Sequence, residues 1–246
     1  MNGWIESLIT FLFPARCRCC GDELGVWRIK YICPDCWAKI QPIREPVCHI
    51  CGYPISLDPA LRSIPMELLC RDCIQARPPF TKARSAVLYQ DAVETAIRLL
   101  KFEGKQVMAH PLAQLLIEHA PLDEFDDAQM VIPMPLSKRR LAERGFNQVE
   151  PLARAVAERM GLEYKDDVLF KSRDTPPQSR FQEREKRKQN VMGAFQVKNR
   201  SSISGLNLLL VDDVLTTGAT VSEAAKALLE AGAASVYVLT LARAGI

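Results

Sequence analysis

Residues 206–211 form an apolar run that ends on two carboxylates, Asp212 and Asp213. A run without polar alternation suits a strand buried on both faces of a parallel sheet, which puts the two acids at its carboxyl end. Beyond them Val221, Ala224, Ala225, Leu228 and Leu229 recur at helical spacing, so an amphipathic helix is expected over 221–231. The same alternation begins near residue 81. A strand is expected over 83–89, a helix over 92–100, a turn over 101–105, and a second helix over 107–119 in which Pro111 marks a start or an irregularity. A short apolar strand over 130–133 and a helix over 148–160 follow. Strands alternating with helices predict an α/β fold with a parallel sheet, whose ligands lie beyond the carboxyl ends of the strands.

Before residue 80 this grammar is replaced by four Cys-x-x-Cys pairs: Cys17 with Cys20, Cys33 with Cys36, Cys48 with Cys51, and Cys70 with Cys73. Each pair presents two thiolates on a tight turn, and two pairs complete a tetrahedral four-sulfur site that suits zinc. Gaps of 12 and 18 residues leave room for the short hairpin of a zinc ribbon, and Gly21 and Gly52 follow the first pair of each set, where the chain must turn sharply. Two structural Zn2+ ions are therefore expected, with no open coordination position for catalysis. Sequential pairing of the knuckles is preferred, although spacing also allows a crossed one. Cys19 is an alternative to Cys17, and His49 is a further candidate ligand, but regular spacing and a full set of sulfurs favour the eight cysteines named.

Prolines 42, 46, 54, 59 and 65 suit a loop-dominated module, and residues 77–80 read as the linker that closes it. The expected domains are 1–78, an N-terminal helix plus a double zinc ribbon, and 79–246, the α/β unit. Residues 1–13 carry an apolar stripe (Trp4, Ile5, Leu8, Ile9, Leu12) that predicts a short helix packed on the protein, with interfacial membrane contact as the alternative. The stripe lacks a basic flank and is too short to span a membrane. With no signal peptide ahead of the cysteines, a reducing, cytoplasmic compartment is expected, and nine cysteines there argue for metal rather than disulfides.

Charge adds one feature. The formal net charge is +3, yet residues 138–200 alone carry 16 basic and 9 acidic groups. Such a segment suits a polyanion, although a solvated helix gives the same composition. Its basic residues alternate with Phe146, Tyr164, Phe170 and Phe181, compatible with single-stranded nucleic acid held by charge and base stacking.

Between the acids and the last helix lie Thr216, Thr217, Gly218, Ala219 and Thr220. A helix N-terminus opened by hydroxyls and a glycine is a cradle for a phosphate monoester, through unpaired N–H groups and the positive end of the helix dipole. Carboxylates beside such a cradle would repel the anion unless they face ribose hydroxyls, directly or through a divalent cation. Residues 206–220 resemble the phosphoribosyl pyrophosphate (PRPP) motif of type I phosphoribosyltransferases: an apolar strand, two acids, two apolar residues, then Thr-Thr-Gly-x-Thr. The resemblance implies that Asp212 and Asp213 face the ribose and Mg2+, and that Thr216 to Thr220 surround the 5-phosphate.

Arg144-Gly-Phe-Asn-Gln148, the later Arg173, Thr175, Gln178, Arg187, Asn190 and Gly193-Ala-Phe195, and the eight knuckle cysteines extend the likeness. Together with the PRPP loop they resemble the ComF/GntX family, a double zinc ribbon followed by a phosphoribosyltransferase-like domain and associated with competence and DNA uptake. The resemblance implies PRPP with Mg2+ as ligand and single-stranded DNA and uptake or helicase machinery as partners. Lys101, Lys105 and Arg187 are candidate pyrophosphate contacts. Arg140, Arg144 and Asn147, around a glycine before a helix, are candidate phosphate or nucleic-acid contacts. An active phosphoribosyltransferase using a nucleobase or amine acceptor is the alternative, and an interaction adaptor with an idle pocket is the third reading. No catalytic nucleophile is visible, and His110 and His119 read as surface or packing residues.

Overall fold

A computed structural model describes residues 15–24, 29–56, 67–173 and 192–245. The expected helix in residues 1–13 and the tract that holds Phe181 and Arg187 lie outside the described residues. Five strands form one parallel sheet: β1 (Lys82–Leu88), β2 (Met130–Pro133), β3 (Glu163–Tyr164), β6 (Asn207–Leu215) and β7 (Ser235–Arg243), in the order β1-β7-β6-β2-β3. The α/β fold with a parallel sheet is as the alternation of apolar segments predicts. Leu208, Leu209, Leu210 and Val211 of β6 are all fully buried, as a strand covered on both faces requires.

β6 does not end at the acids, however. It continues through Asp212 and Asp213 to Leu215, because β7 runs alongside and supplies partners at Thr240, Ala242 and Arg243. Continuous pairing outweighs the polar break that suggested an end. Helices cover the sheet: α3 (Asp91–Phe102), α4 (Ala109–His119), α6 (Glu150–Met160) and α7 (Ala219–Glu230) each bury an apolar stripe. The irregularity expected near Pro111 is a 3-10 turn, Gln106–Met108, that runs into α4. A short helix, α5 (Lys138–Arg144), is capped by Ser137 and closed by Gly145 in the left-handed region at φ 78°. Two short antiparallel strands, β4 (Leu169–Lys171) and β5 (Phe195–Val197), pair outside the main sheet, and Arg173 donates to the Met192 carbonyl just beyond them.

The cysteine-rich segment sits on the outer edge of β1. Its two short helices, α1 (Pro34–Ala38) and α2 (Arg71–Gln75), each begin directly after a knuckle cysteine, Cys33 and Cys70. Residues 41–43 lie antiparallel to β1, with bonds from Ile43 N to Ala86 O and from Leu88 N to Gln41 O, so the open edge of the sheet is covered. Two buried arginines fasten the second ribbon. Arg84 reaches the carbonyls of Cys48 and His49 with one nitrogen and grips both oxygens of Glu124 with the others, at 2.7 and 2.6 Å. Arg243, at the end of β7, donates to the Cys51 carbonyl at 2.7 Å.

Gly52 lies at a close approach between ribbon and sheet. Its φ is +66°, and a Cβ there would lie 2.7 Å from the Ala83 carbonyl oxygen. Gly21, the equivalent turn of the first ribbon, has φ +84° and open space around its Cβ position. Both alanine substitutions are expected to incur ~1–3 kcal/mol of backbone strain. Gly52→Ala must in addition push the ribbon off β1, so its apparent melting temperature should fall further than that of Gly21→Ala; equal losses would remove the close-packing argument.

Candidate functional site

The acids meet a set of partners drawn from two helices and the turn before a third. Asp213 is only 6% exposed, and both of its carboxylate oxygens are occupied. Lys101 Nζ, in the last turn of α3, donates to one at 2.6 Å; Gln148 Nε2, just ahead of α6, donates to the other at 2.8 Å. Gln148 in turn accepts from Arg144 Nη1 at 2.7 Å through its amide oxygen. An amide is suited to this link because it donates from one end and accepts at the other, whereas a carboxylate or an ammonium does only one. The result is a chain from Arg144 to Gln148 to Asp213 to Lys101. Lys101 was expected on a turn; α3 extends to Phe102, which places the lysine where a cation also favours the helix dipole.

Asp212 has a different environment. Its carboxylate accepts the Asp213 backbone N–H at 2.8 Å. Burial among protein atoms, followed by the charge of the adjacent Asp213, pushes its pKa up to about 7 against the pull of Lys101 and Lys171. Additional positive charge, such as a divalent cation, would lower it. The two acids are thus unequal: Asp213 is held by cationic and amide donors, while Asp212 accepts a backbone N–H and has a raised pKa.

Thr216, Thr217 and Gly218 form the turn after β6, and α7 begins at Ala219 with Gly218 in the left-handed region at φ 77° as its cap. The first bond along the helix runs from Ser222 N to Gly218 O, so the N–H groups of residues 219–221 precede it. Thr216, Thr217, Gly218, Ala219 and Thr220 are all half-exposed, which leaves the turn accessible beside the acids. Across from it, the Gly193 N–H donates to Glu223 of α7 at 3.0 Å, and this joins the β5 side of the molecule to the helix.

The basic candidates separate. Lys101 joins the acids. Lys105 instead places its ammonium 5.7 Å from the ring of Tyr31 in the first ribbon, near an Arg18–Glu103 ion pair at 2.8 Å. Arg144 is half-buried, and burial lowers its pKa from the ordinary guanidinium value. Asn147 is buried and satisfied inside the protein: its amide donates to Met134 O, and its oxygen accepts from Val149 N. Gln148 was visible in the sequence only as the last letter of a motif. Nothing in its spacing announced that it would reach a carboxylate 65 residues away.

The cysteines gather into two groups, Cys17, Cys20, Cys33 and Cys36, and Cys48, Cys51, Cys70 and Cys73; within each, all ligand atoms lie within 4.8 Å of one another. The sequential arrangement is therefore the one assembled, and Cys19 and His49 fall outside both groups. Sulfur separations of 3.6 Å (Cys20 to Cys33) and 3.5 Å (Cys51 to Cys70) are close to the ~3.8 Å edge of a tetrahedron with zinc–sulfur bonds of about 2.3 Å. Burial pushes the Cys17 thiol up, but amide donors at Cys20, Cys33 and Cys19 outweigh it and bring the pKa down to about 6. Burial and the neighbouring sulfurs hold Cys36 and Cys73 far above the ordinary thiol value. Four thiolates so close together need a compensating cation, and the two clusters fit two zinc sites.

Sheet, acid pair, threonine turn and paired four-cysteine clusters define a class: a double zinc ribbon joined to a phosphoribosyltransferase-type domain. Comparison with known proteins agrees. Residues 8–76 match the double zinc ribbon domain family, and residues 148–246 match the phosphoribosyl transferase domain family. The chain is 31% identical over 236 residues to the DNA utilization protein YhgH of Salmonella typhimurium, which spans 94% of this chain and 97% of that protein. It is 30% identical to the competence protein ComFC of Bacillus subtilis, covering 98% of each. The chain belongs to the ComF/GntX family. Among solved structures it is similar to orotate phosphoribosyltransferase from Aeropyrum pernix, with 21% identity, a TM-score of 0.35, and coverage of 65% of this chain and 68% of that one. It is also similar to the glutamine PRPP amidotransferase of B. subtilis, with 22% identity and a TM-score of 0.36, where 54% of this chain spans a quarter (25%) of that chain. No helix among the described residues is long and apolar enough to cross a membrane.

Two measurements test the site. A carboxylate whose folded pKa is raised stabilises the fold fully below its ordinary pKa of 3.8, and that stability is lost as pH rises through about 7. Asp212→Asn removes the titration, so thermal unfolding of the ligand-free protein between pH 4 and 8 should show a flatter decline, and a higher melting temperature than wild type at pH 8. Parallel curves would contradict the raised pKa. Metal analysis should find two zinc ions per chain, matching the two clusters. Cys19→Ser should retain both and Cys51→Ser should lose one; a Cys19→Ser protein short of zinc would reverse the assignment.

Proposed function

We propose that this protein binds Mg2+-PRPP at the acid pair and threonine turn, and handles single-stranded DNA during DNA uptake, in a reducing cytoplasmic compartment. In this reading residues 1–78 form the ribbon unit, with the eight knuckle cysteines as ligands of structural zinc, and residues 79–246 form the ligand-binding unit. The observation that carries the proposal is the geometry around Asp213: the acid pair and Lys101 meet near the end of β6, and the turn that follows leads into the N-terminus of α7. Thr216, Thr217, Gly218, Ala219 and Thr220 would receive the 5-phosphate through hydroxyl and backbone donors. Asp212 and Asp213 would face the ribose hydroxyls and Mg2+, which would neutralise pyrophosphate charge when bound. Lys101, released from Asp213, would reach toward the pyrophosphate; Lys105 and Arg187 are the further cationic candidates. The names of the curated relatives, a DNA utilization protein and a competence protein, support the DNA role. Arg140 and Arg144 supply charge for a nucleic-acid backbone, and Asn147 shapes the segment that carries them.

Transfer of ribose 5-phosphate is the second reading, favoured by the completeness of the acid and threonine constellation. A nitrogen of a nucleobase or amine would then bond to C1 of the ribose as the C1–oxygen bond breaks and pyrophosphate departs. Calorimetry should detect PRPP binding that requires Mg2+ and weakens about 10- to 150-fold in Asp213→Asn, the range expected on losing a charge-assisted contact; undiminished affinity would remove the assignment. Pyrophosphate release with any member of a nucleobase and amine panel would establish the transferase reading, and its absence throughout would leave PRPP as a ligand. Oligothymidylate binding should weaken with salt, and its logarithmic salt slope should shrink by about 1 for each of Arg140→Ala and Arg144→Ala.

A further inference from the structure

Among the described residues, the aromatic side chains expected to stack on bases are already engaged; Phe181 lies outside them. Phe146 and Tyr164 pack against the core, Tyr164 lies under the Arg154 guanidinium at 4.1 Å, and Phe170 lies under the Lys198 ammonium at 4.1 Å. One aromatic outside that group is displayed instead. Phe102, the last residue of α3, is 73% exposed although it adjoins the most tightly bonded part of the site. The Arg144 guanidinium lies 5.5 Å from its ring centroid, and most of the ring faces solvent.

Arg144 and the residue preceding Phe102 are tied to the same carboxylate. Lys101, the residue before Phe102, is fixed to Asp213, and Arg144 is fixed to Asp213 through Gln148. The pair is therefore preorganised, which reduces the entropy lost when a flat ligand is received. Its surroundings favour an anion. Glu103 is paired with Arg18, Glu143 faces Arg139 at 3.6 Å, and Asp213 is engaged by Lys101 and Gln148, while Arg140 lies one helical turn before Arg144. A planar apolar ring beside a guanidinium, with a second arginine along the same helix face, is the chemistry that receives an unpaired base and its phosphate.

We propose that Phe102 and Arg144 form a stacking site for one unpaired base of a single-stranded nucleic acid, with Arg140 on the adjoining phosphate. This rests on the single-strand reading above and assigns it a base contact. The ring contributes no charge, so its effect must depend on the presence of bases and not on salt. Binding of wild type, Phe102→Ala and Phe102→Trp to oligothymidylate, and to an abasic oligonucleotide of equal length, separates these terms by fluorescence anisotropy. Phe102→Ala should weaken oligothymidylate binding roughly 5- to 150-fold, the range for one base–aromatic stack. Its salt slope should be unchanged, Phe102→Trp should restore affinity, and the abasic strand should not distinguish the three proteins. Equal binding of oligothymidylate by wild type and Phe102→Ala overturns the stacking site and leaves the single-strand reading in place. An equal loss on the abasic strand also overturns it, because the contact would then not be with a base. If wild type itself binds neither strand, the single-strand reading fails and the stacking site falls with it.

Discussion

A carboxylate 6% exposed to solvent must have partners, and the need to satisfy Asp213 organises the site. Its oxygens draw in α3 through Lys101 and the start of α6 through Gln148, while its backbone belongs to the middle of the sheet. Removing one member of a buried pair of this kind typically costs about 3–5 kcal/mol, because the other charge is left without compensation. The network therefore holds two helix ends in register with the strand that carries the acids. Asp212, one residue earlier, accepts a backbone N–H instead, and burial beside its neighbour raises its pKa. Two adjacent residues of the same type thus acquire different chemistry from what surrounds them.

The ribbons are part of the same construction. Arg84 and Arg243 carry charge from β1 and β7 onto the carbonyls of the second ribbon's knuckle, and residues 41–43 cover the edge of β1. Arg243 also pairs with Leu215, the last residue before the threonine turn. Zinc in the second cluster would accordingly stabilise a module that abuts the strand leading into that turn. The first ribbon reaches the other side of the site's approach, where Arg18 holds Glu103 and Tyr31 lies beside Lys105. Zinc modules with little core of their own gain rigidity from this docking, and the sheet gains a closed edge.

Charge is distributed in a way that composition alone hides. Within residues 138–200 Arg139 pairs with Glu143, Arg154 with Asp166 and Lys165 with Glu163, which leaves the basic excess of the segment unchanged. Such exposed pairs contribute little stability. Their effect is to leave Arg140 and Arg144, beside an uncovered ring, as the concentrated positive feature near the acids.

Patterns of short range were legible from the chain. Apolar runs and helical spacing identified the parallel sheet and its covering helices, knuckle spacing identified two four-sulfur sites, and the Thr-Thr-Gly-x-Thr stretch marked a turn into a helix, because each depends on residues a few positions apart. The end of β6, the place of Lys101 inside α3, and the different partners of Asp212 and Asp213 were decided only by folding. A neighbouring strand prolonged the first, and a partner 112 residues away engaged Lys101 and Asp213. Gln148 and Phe102 belong to the same class: one is an amide whose role depends on what lies at each end, the other a phenylalanine whose importance lies in not being covered. Sequence determines which groups are available and how they are spaced locally. Tertiary structure decides which charges are desolvated, which are paired and which ring stays open, since these depend on groups brought together from distant parts of the chain.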